Sequence, residues 1–194
     1  MRQISFLLIS TCLLISGYVQ ADAQNFQGLR VGGNLNMIGA STKFAGSGGD
    51  LTFGGNNIGG GITVAVSQRI SNKVIIGVGA SFSNSKIKSA SSVEGIIGKN
   101  LWTAFIEPGV VVGQNTLLYG KAGYAGMKTS IDGVSNGYSS SGYVYGLGIR
   151  TMVVDSLYVE VEALQYKFDS KEIEGVSIET KATSANVGVG YIFN

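Results

Sequence analysis

The chain has 194 residues, 44% hydrophobic and 13% charged, with 30 glycines, one proline, one cysteine and no histidine. That length suits one domain with a sizeable core or a closed barrel. Without histidine there is no imidazole base, no histidine metal ligand and no Ser-His-Asp triad. A single cysteine excludes disulfide frameworks, zinc ribbons and cysteine-ligated iron–sulfur clusters. The net charge of +2 has no basic cluster of sequence behind it, so nucleic acid is not an expected partner.

Met1 to Ala23 reads as a secretory signal. Arg2 supplies the positive start, Ile4 to Ile15 is mostly apolar, and Ala21-Asp22-Ala23 is an A-x-A cleavage site that leaves Gln24 first. The apolar stretch falls short of the ~20 residues of a spanning helix. Cys12 fits better as a small residue inside the signal than as a lipidation site, because the apolar run continues past it. The expected organisation is therefore a signal peptide over 1–23 and one domain over 24–194.

From Gln24 onward the pattern has period two, the signature of strands with two different faces. Eight runs follow in order: Leu29 to Met37, Ile58 to Ser67, Val74 to Ser83, Trp102 to Val112, Leu117 to Met127, Tyr143 to Met152, Leu157 to Phe168, and Ala185 to Phe193. Each is about 9 to 12 residues, the span of a tilted strand across a bilayer. Connectors alternate as well. Arg69-Ile70-Ser71-Asn72, Gln114-Asn115-Thr116 and Val154-Asp155-Ser156 are short, whereas 39–53, 86–100, 128–141 and 169–181 are long and polar. Short turns at one end and long loops at the other describe a transmembrane barrel, and closure leaves no unpaired edge in lipid.

Polarity points the same way. One parity is apolar and almost uncharged; the other carries Gly, Ser, Asn and scattered charges. That arrangement predicts a lipid-facing outside around a narrow polar lumen, which eight strands leave only wide enough for side chains. Phe82, Trp102, Tyr124, Tyr143, Tyr145, Tyr191 and Phe193 lie near run ends on the apolar parity, as interfacial girdles require. Pro108, inside the fourth run, predicts a bulge or a locally opened pairing.

The polar parity also holds Arg30, Glu107, Lys121, Arg150, Glu160 and Glu162. Buried charges persist only when paired. The expected arrangement is a lumenal ion-pair network. Arg150 would meet Glu160 or Glu162, Glu107 would meet Lys121, and Arg30 would reach Glu107 or the other carboxylates. Glu160 and Glu162 share one face of a strand, but catalytic acids need a cleft and a raised pKa, which three cations oppose. No catalytic residue, cofactor or metal is expected. Glycine-rich stretches such as 59–61 lack the following helix of a phosphate loop.

Gly142-Tyr143-Val144-Tyr145-Gly146-Leu147-Gly148-Ile149-Arg150 is similar to the sixth strand of small outer-membrane barrel proteins, and Leu157 to Phe168 resembles their seventh. Val187 to Phe193 looks like their C-terminal assembly signal, with Tyr191 and Phe193 as its aromatic residues. The resemblance is to the porin-like, OmpA/OmpX-type superfamily and covers the chain beyond the signal. Arg150 stands where the family usually has Glu, and Asn194 follows the usual terminal Phe. The resemblance implies an all-β, eight-stranded antiparallel transmembrane barrel in the outer membrane of a Gram-negative bacterium. The resemblance is specific for architecture and not for function; the role expected is a non-enzymatic surface protein giving envelope integrity and presenting long extracellular loops. Partners would be outer-membrane lipid, the outer-membrane assembly machinery, and a host or environmental ligand at loops around Phe44-Ala45-Gly46 and Val93-Glu94-Gly95-Ile96-Ile97. The main rival is a small-solute or ion pore. A lipid enzyme and a soluble lipocalin-like carrier are more distant.

Overall fold

The computed structural model describes residues 23–46, 49–85, 87–88, 96–131, 138–173 and 176–194. After a 3-10 turn at Ala23–Phe26, the strands are β1 (Gly28–Gly46), β2 (Gly49–Arg69), β3 (Val74–Ser83), β4 (Ile87–Lys88), β5 (Ile96–Val112), β6 (Thr116–Ile131), β7 (Tyr138–Val154), β8 (Leu157–Phe168), β9 (Lys171–Ile173) and β10 (Val176–Phe193). Eight of them are the staves of one antiparallel barrel, in the order β1-β2-β3-β5-β6-β7-β8-β10. Pairing of β10 with β1, from Leu29↔Phe193 to Ala45↔Ser177, closes the ring. The short strands β4 and β9 extend the wall beside β5 and β10.

Parity decides what each side chain meets. Along β8 exposed and buried residues alternate without exception from Leu157 to Phe168. On the outer wall Leu35, Ile58 and Leu147 are 68%, 68% and 66% exposed, an apolar surface that suits lipid and not water. The seven aromatics near the run ends all point outward. Tyr191 and Phe193 lie at the end of the barrel with the short turns; Trp102, Tyr124 and Tyr143 form a belt towards the other, with ring centroids 6.2 and 5.9 Å apart.

Two expectations need correction, and that for Pro108 is met in one of its two forms. The strands are longer than the apolar runs, reaching 19 and 21 residues in β1 and β2. Much of 39–53 is therefore paired backbone, since Gly46 pairs with Gly49 beyond the apolar zone. The lumen is not simply polar. An apolar layer of Phe26, Ile75, Val111, Leu117, Tyr119, Met152, Tyr158 and Ile192 fills the short-turn end, and a second, including Ile38, Leu101, Met127, Leu164, Tyr166 and Phe168, lies beyond the charges. At Pro108 the expected local opening of the pairing is found, without a bulge. The proline pairs with Ile76 on β3, but the β5–β6 ladder skips from Ile106↔Ala122 to Gly109↔Tyr119, so pairing opens there without a register shift. The register shift of β5 falls between Lys99 and Trp102, where Asn100 adopts φ 55°, a left-handed conformation Asn tolerates.

The short turns are built locally. Val74 donates to the Ser71 hydroxyl at 3.2 Å, and Ile70 donates to the Val74 carbonyl at 2.9 Å. Gly113, at φ 72°, opens the turn between β5 and β6, a backbone angle glycine adopts without a Cβ penalty. At the same end the amide of Ala23 donates to the Asn72 carbonyl at 3.0 Å, and Ala23 and Phe26 are buried. The segment preceding β1 thus stoppers the barrel floor.

Candidate functional site

Between the two apolar layers the inward parity of β1, β5, β6, β7 and β8 brings Arg30, Glu107, Lys121, Arg150, Glu160 and Glu162 into one layer. Each is at most 5% exposed. Arg150 and Glu160 are direct register partners on β7 and β8. Arg150 donates from Nε at 3.0 Å and from Nη2 at 2.9 Å to Glu160 Oε2, and from Nη2 at 2.8 Å to Glu107 Oε1. Arg30 reaches across the lumen, donating at 3.0 Å to Glu107 and at 3.0 Å to Glu160. The two guanidinium groups thus bridge the same two carboxylates. Planar forks with several donors suit this role better than a lysine would.

Lys121 keeps the expected ion pair with Glu107 on the neighbouring strand, at 3.8 Å, and places its hydrogen bond on Glu162, two strands distant. The reason is competition: both oxygens of Glu107 are already engaged by arginines. Glu162 also accepts from Tyr119 at 2.9 Å and from Asn186 at 3.1 Å.

The sequence reading missed two tyrosines. Tyr119 and Tyr158 share the parity of Lys121 and Glu160 and turn inward, where their rings stack beside the cations. The Arg150 guanidinium carbon lies 4.5 Å from the Tyr119 centroid and 5.2 Å from that of Tyr158. Lys121 lies 4.3 Å from the Phe105 ring, a third aromatic contact for the cations. The signal was the parity itself, applied to aromatics as strictly as to charges. Amide and hydroxyl groups continue the polar layer along β1, β3 and β5: Asn36 donates to Ser83 at 3.1 Å, and Ser81 and Thr103 share a 2.6 Å hydrogen bond. Among these groups, Lys121 and Glu162 is a cavity of about 20 Å³, room for about one water.

Glycine permits this filling. Gly148 on β7 pairs with Tyr119 on β6, and an added Cβ would lie 2.5 Å from the Tyr119 hydroxyl oxygen and 2.7 Å from Cε2. Gly148→Val is therefore expected to push the ring off Arg150 and Glu162 and to destabilise the barrel by about 1–3 kcal/mol, the usual range for overpacking. Urea titration in lipid checks this; an unchanged midpoint would show that Tyr119 has another place to go.

Other candidates are dispersed. Tyr191 and Phe193 face outward on β10, with ring centroids 4.8 Å apart. The side chains of Phe44, Ala45, Ile96 and Ile97, and all of Val93, Glu94 and Gly95, lie outside the described residues.

Several solved structures are similar to the chain. OprG from Pseudomonas aeruginosa is 13% identical, with a TM-score of 0.55 over 91% of this chain and 99% of its own. Ail, the attachment invasion locus protein of Yersinia pestis, solved with the heparin analogue sucrose octasulfate, is 19% identical over 84% and 99%, with a TM-score of 0.47. The outer membrane protease OmpT from Escherichia coli is 13% identical over 85% and 96%, with a TM-score of 0.49. No curated protein sequence matches the chain. The outer membrane protein beta-barrel domain model matches residues 8–193, nearly the whole sequence, and the chain belongs to that family of outer-membrane proteins.

Proposed function

We propose that this barrel is a non-enzymatic surface protein that stabilises the outer membrane and presents its long connections to ligands outside the cell. The observation that carries the reading is the filled lumen. Two arginines, a lysine and three glutamates occupy one cross-section, all nearly inaccessible, between two apolar layers, one of which contributes Tyr119 and Tyr158. A solute path would have to separate buried ion pairs, each costly to leave unpaired. The same packing argues against a catalytic role for Glu160 and Glu162, whose oxygens are engaged by Arg30, Arg150, Lys121 and Tyr119, while the cavity beside Glu162 has room for about one water. Assembly would proceed through the outward aromatics Tyr191 and Phe193 on the closing strand, and ligand contact through the connections at the end opposite the short turns.

Reconstitution in planar bilayers tests the reading. The purified protein is expected to shift gel mobility on boiling, as a closed barrel does, yet to give no current steps above bare lipid. Regular steps whose size follows ion concentration would instead establish the rival, an ion pore through the charged layer.

A further inference from the structure

Ala23 stands at two boundaries at once. It closes the Ala21-Asp22-Ala23 cleavage pattern, so a cut there removes it with the leader. The fold, however, uses it. Ala23 is 0% exposed and opens the 3-10 turn Ala23–Phe26 on the barrel floor. Its amide donates to the Asn72 carbonyl at 3.0 Å, which ties the turn to the connection between β2 and β3. Its methyl group belongs to the same apolar layer as Phe26, Ile75, Val111 and Ile192. A chain beginning at Gln24 loses that amide and that methyl. It also sets a free ammonium group at the start of the turn, two residues from the buried Phe26, where the unbonded amides of a helical start already carry partial positive charge.

The sequence holds a second pattern two residues upstream. Val19-Gln20-Ala21 is A-x-A-like, with a small residue at the cut and valine in place of the first alanine. The apolar run ends at Ile15, so Ala21 lies six residues past it and Ala23 eight. The upstream site is therefore the nearer to the membrane surface at which the run is held. Cutting there leaves Asp22 first, immediately before the turn. Asp is favoured at that place in a chain, because its carboxylate accepts from the first amides and offsets their charge. We propose that the chain is processed between Ala21 and Asp22, which keeps Ala23 in the mature protein as part of the barrel floor. Both sites are open while the chain is extended during export, and only the upstream cut leaves the floor complete. Once the barrel has closed, the burial of Ala23 and its bond to Asn72 take the downstream site out of a protease's reach.

The experiment expresses the full precursor in a Gram-negative host, purifies the folded protein from the outer membrane and determines its N-terminal sequence and intact mass. The expected start is Asp22-Ala23-Gln24. A start at Gln24, or a chain that keeps its leader, overturns the proposal. Two substitutions, read by pulse labelling before folding intervenes, act in opposite ways. Val19→Glu spoils the upstream pattern alone and should hold back the precursor or shift the start to Gln24; conversion at the wild-type rate to the wild-type start would count against the site. Ala23→Tyr spoils the downstream pattern alone and should leave processing unchanged, whereas accumulation of precursor would place the cut after Ala23. The role given to Ala23 is read separately. Chains over 22–194 and 24–194 are refolded side by side in bilayers, and the shorter should lose its unboiled gel band at a lower urea concentration. Equal midpoints would show that the floor closes without Ala23. None of these outcomes depends on whether the lumen conducts.

Discussion

Glu160→Ala is expected to cost about 3–5 kcal/mol of folding stability, the range found when one partner of a buried charge group is removed. Glu160 Oε2 accepts from Arg30 Nη1, from two nitrogens of Arg150 and from Tyr119. Its loss leaves Arg30 and Arg150 sharing Glu107 alone, in a layer of buried side chains. The measurement is urea unfolding in lipid bilayers, read by the unboiled gel band. Arg150→Leu combined with Glu160→Leu removes one charge of each sign and should recover much of the loss, since a balanced pair replaced by apolar groups is often near neutral. A double-mutant cycle then isolates the coupling. Two single variants that each cost under about 1 kcal/mol, with additive effects, would show that the layer is hydrated and its pairs are worth no more than surface salt bridges.

That network was legible in part, and the limit is physical. Parity assigns each strand residue to one of two faces, so Arg30, Glu107, Lys121, Arg150, Glu160 and Glu162 could be assigned to one interior from sequence. Pairings such as Arg150 with Glu160, Arg30 with Glu107 and Lys121 with Glu107 could be named as well, but not the full set of hydrogen bonds, because long side chains crossing a narrow lumen reach several strands. Lys121 illustrates the point: it keeps an ion pair with Glu107 on the adjacent strand, yet the competing arginines leave its hydrogen bond to Glu162. Tyr119 and Tyr158 were missed for another reason. Aromatics favour strands on either face, so composition alone says nothing about their direction, and the glycine opposite Tyr119 becomes informative only once the register is known. Strand length was underestimated because apolar alternation stops where lipid stops, whereas backbone pairing continues to Gly46 and Gly49. The pairing of Lys99 with Lys128 and of Lys167 with Lys181 is the extreme case. Residues 99 and 128, or 167 and 181, are unremarkable until the ladder sets them side by side.

The inside-out polarity itself makes the second large prediction. Val161 lies on β8 between the buried Glu160 and Glu162, 57% exposed on the outer wall, and its register partners Ile149 and Val187 are exposed apolar residues too. Leu157, four residues nearer the short turns, pairs with the girdle residue Tyr191. In a bilayer these two positions differ in depth. Val161→Arg is expected to cost about 2–4 kcal/mol, the midplane range, and Leu157→Arg about 0–1 kcal/mol, the interfacial range. Unfolding in bilayers measures both. If water bathed this wall, neither exposed substitution would shift stability by more than about 0.5 kcal/mol, and depth would not matter. A steep gradient requires acyl chains against Val161. It would also place the belt of Tyr143 and Lys167, farther along the same wall, at the opposite interface. Equal, small effects at both positions would instead mean that the apolar wall has a partner other than lipid.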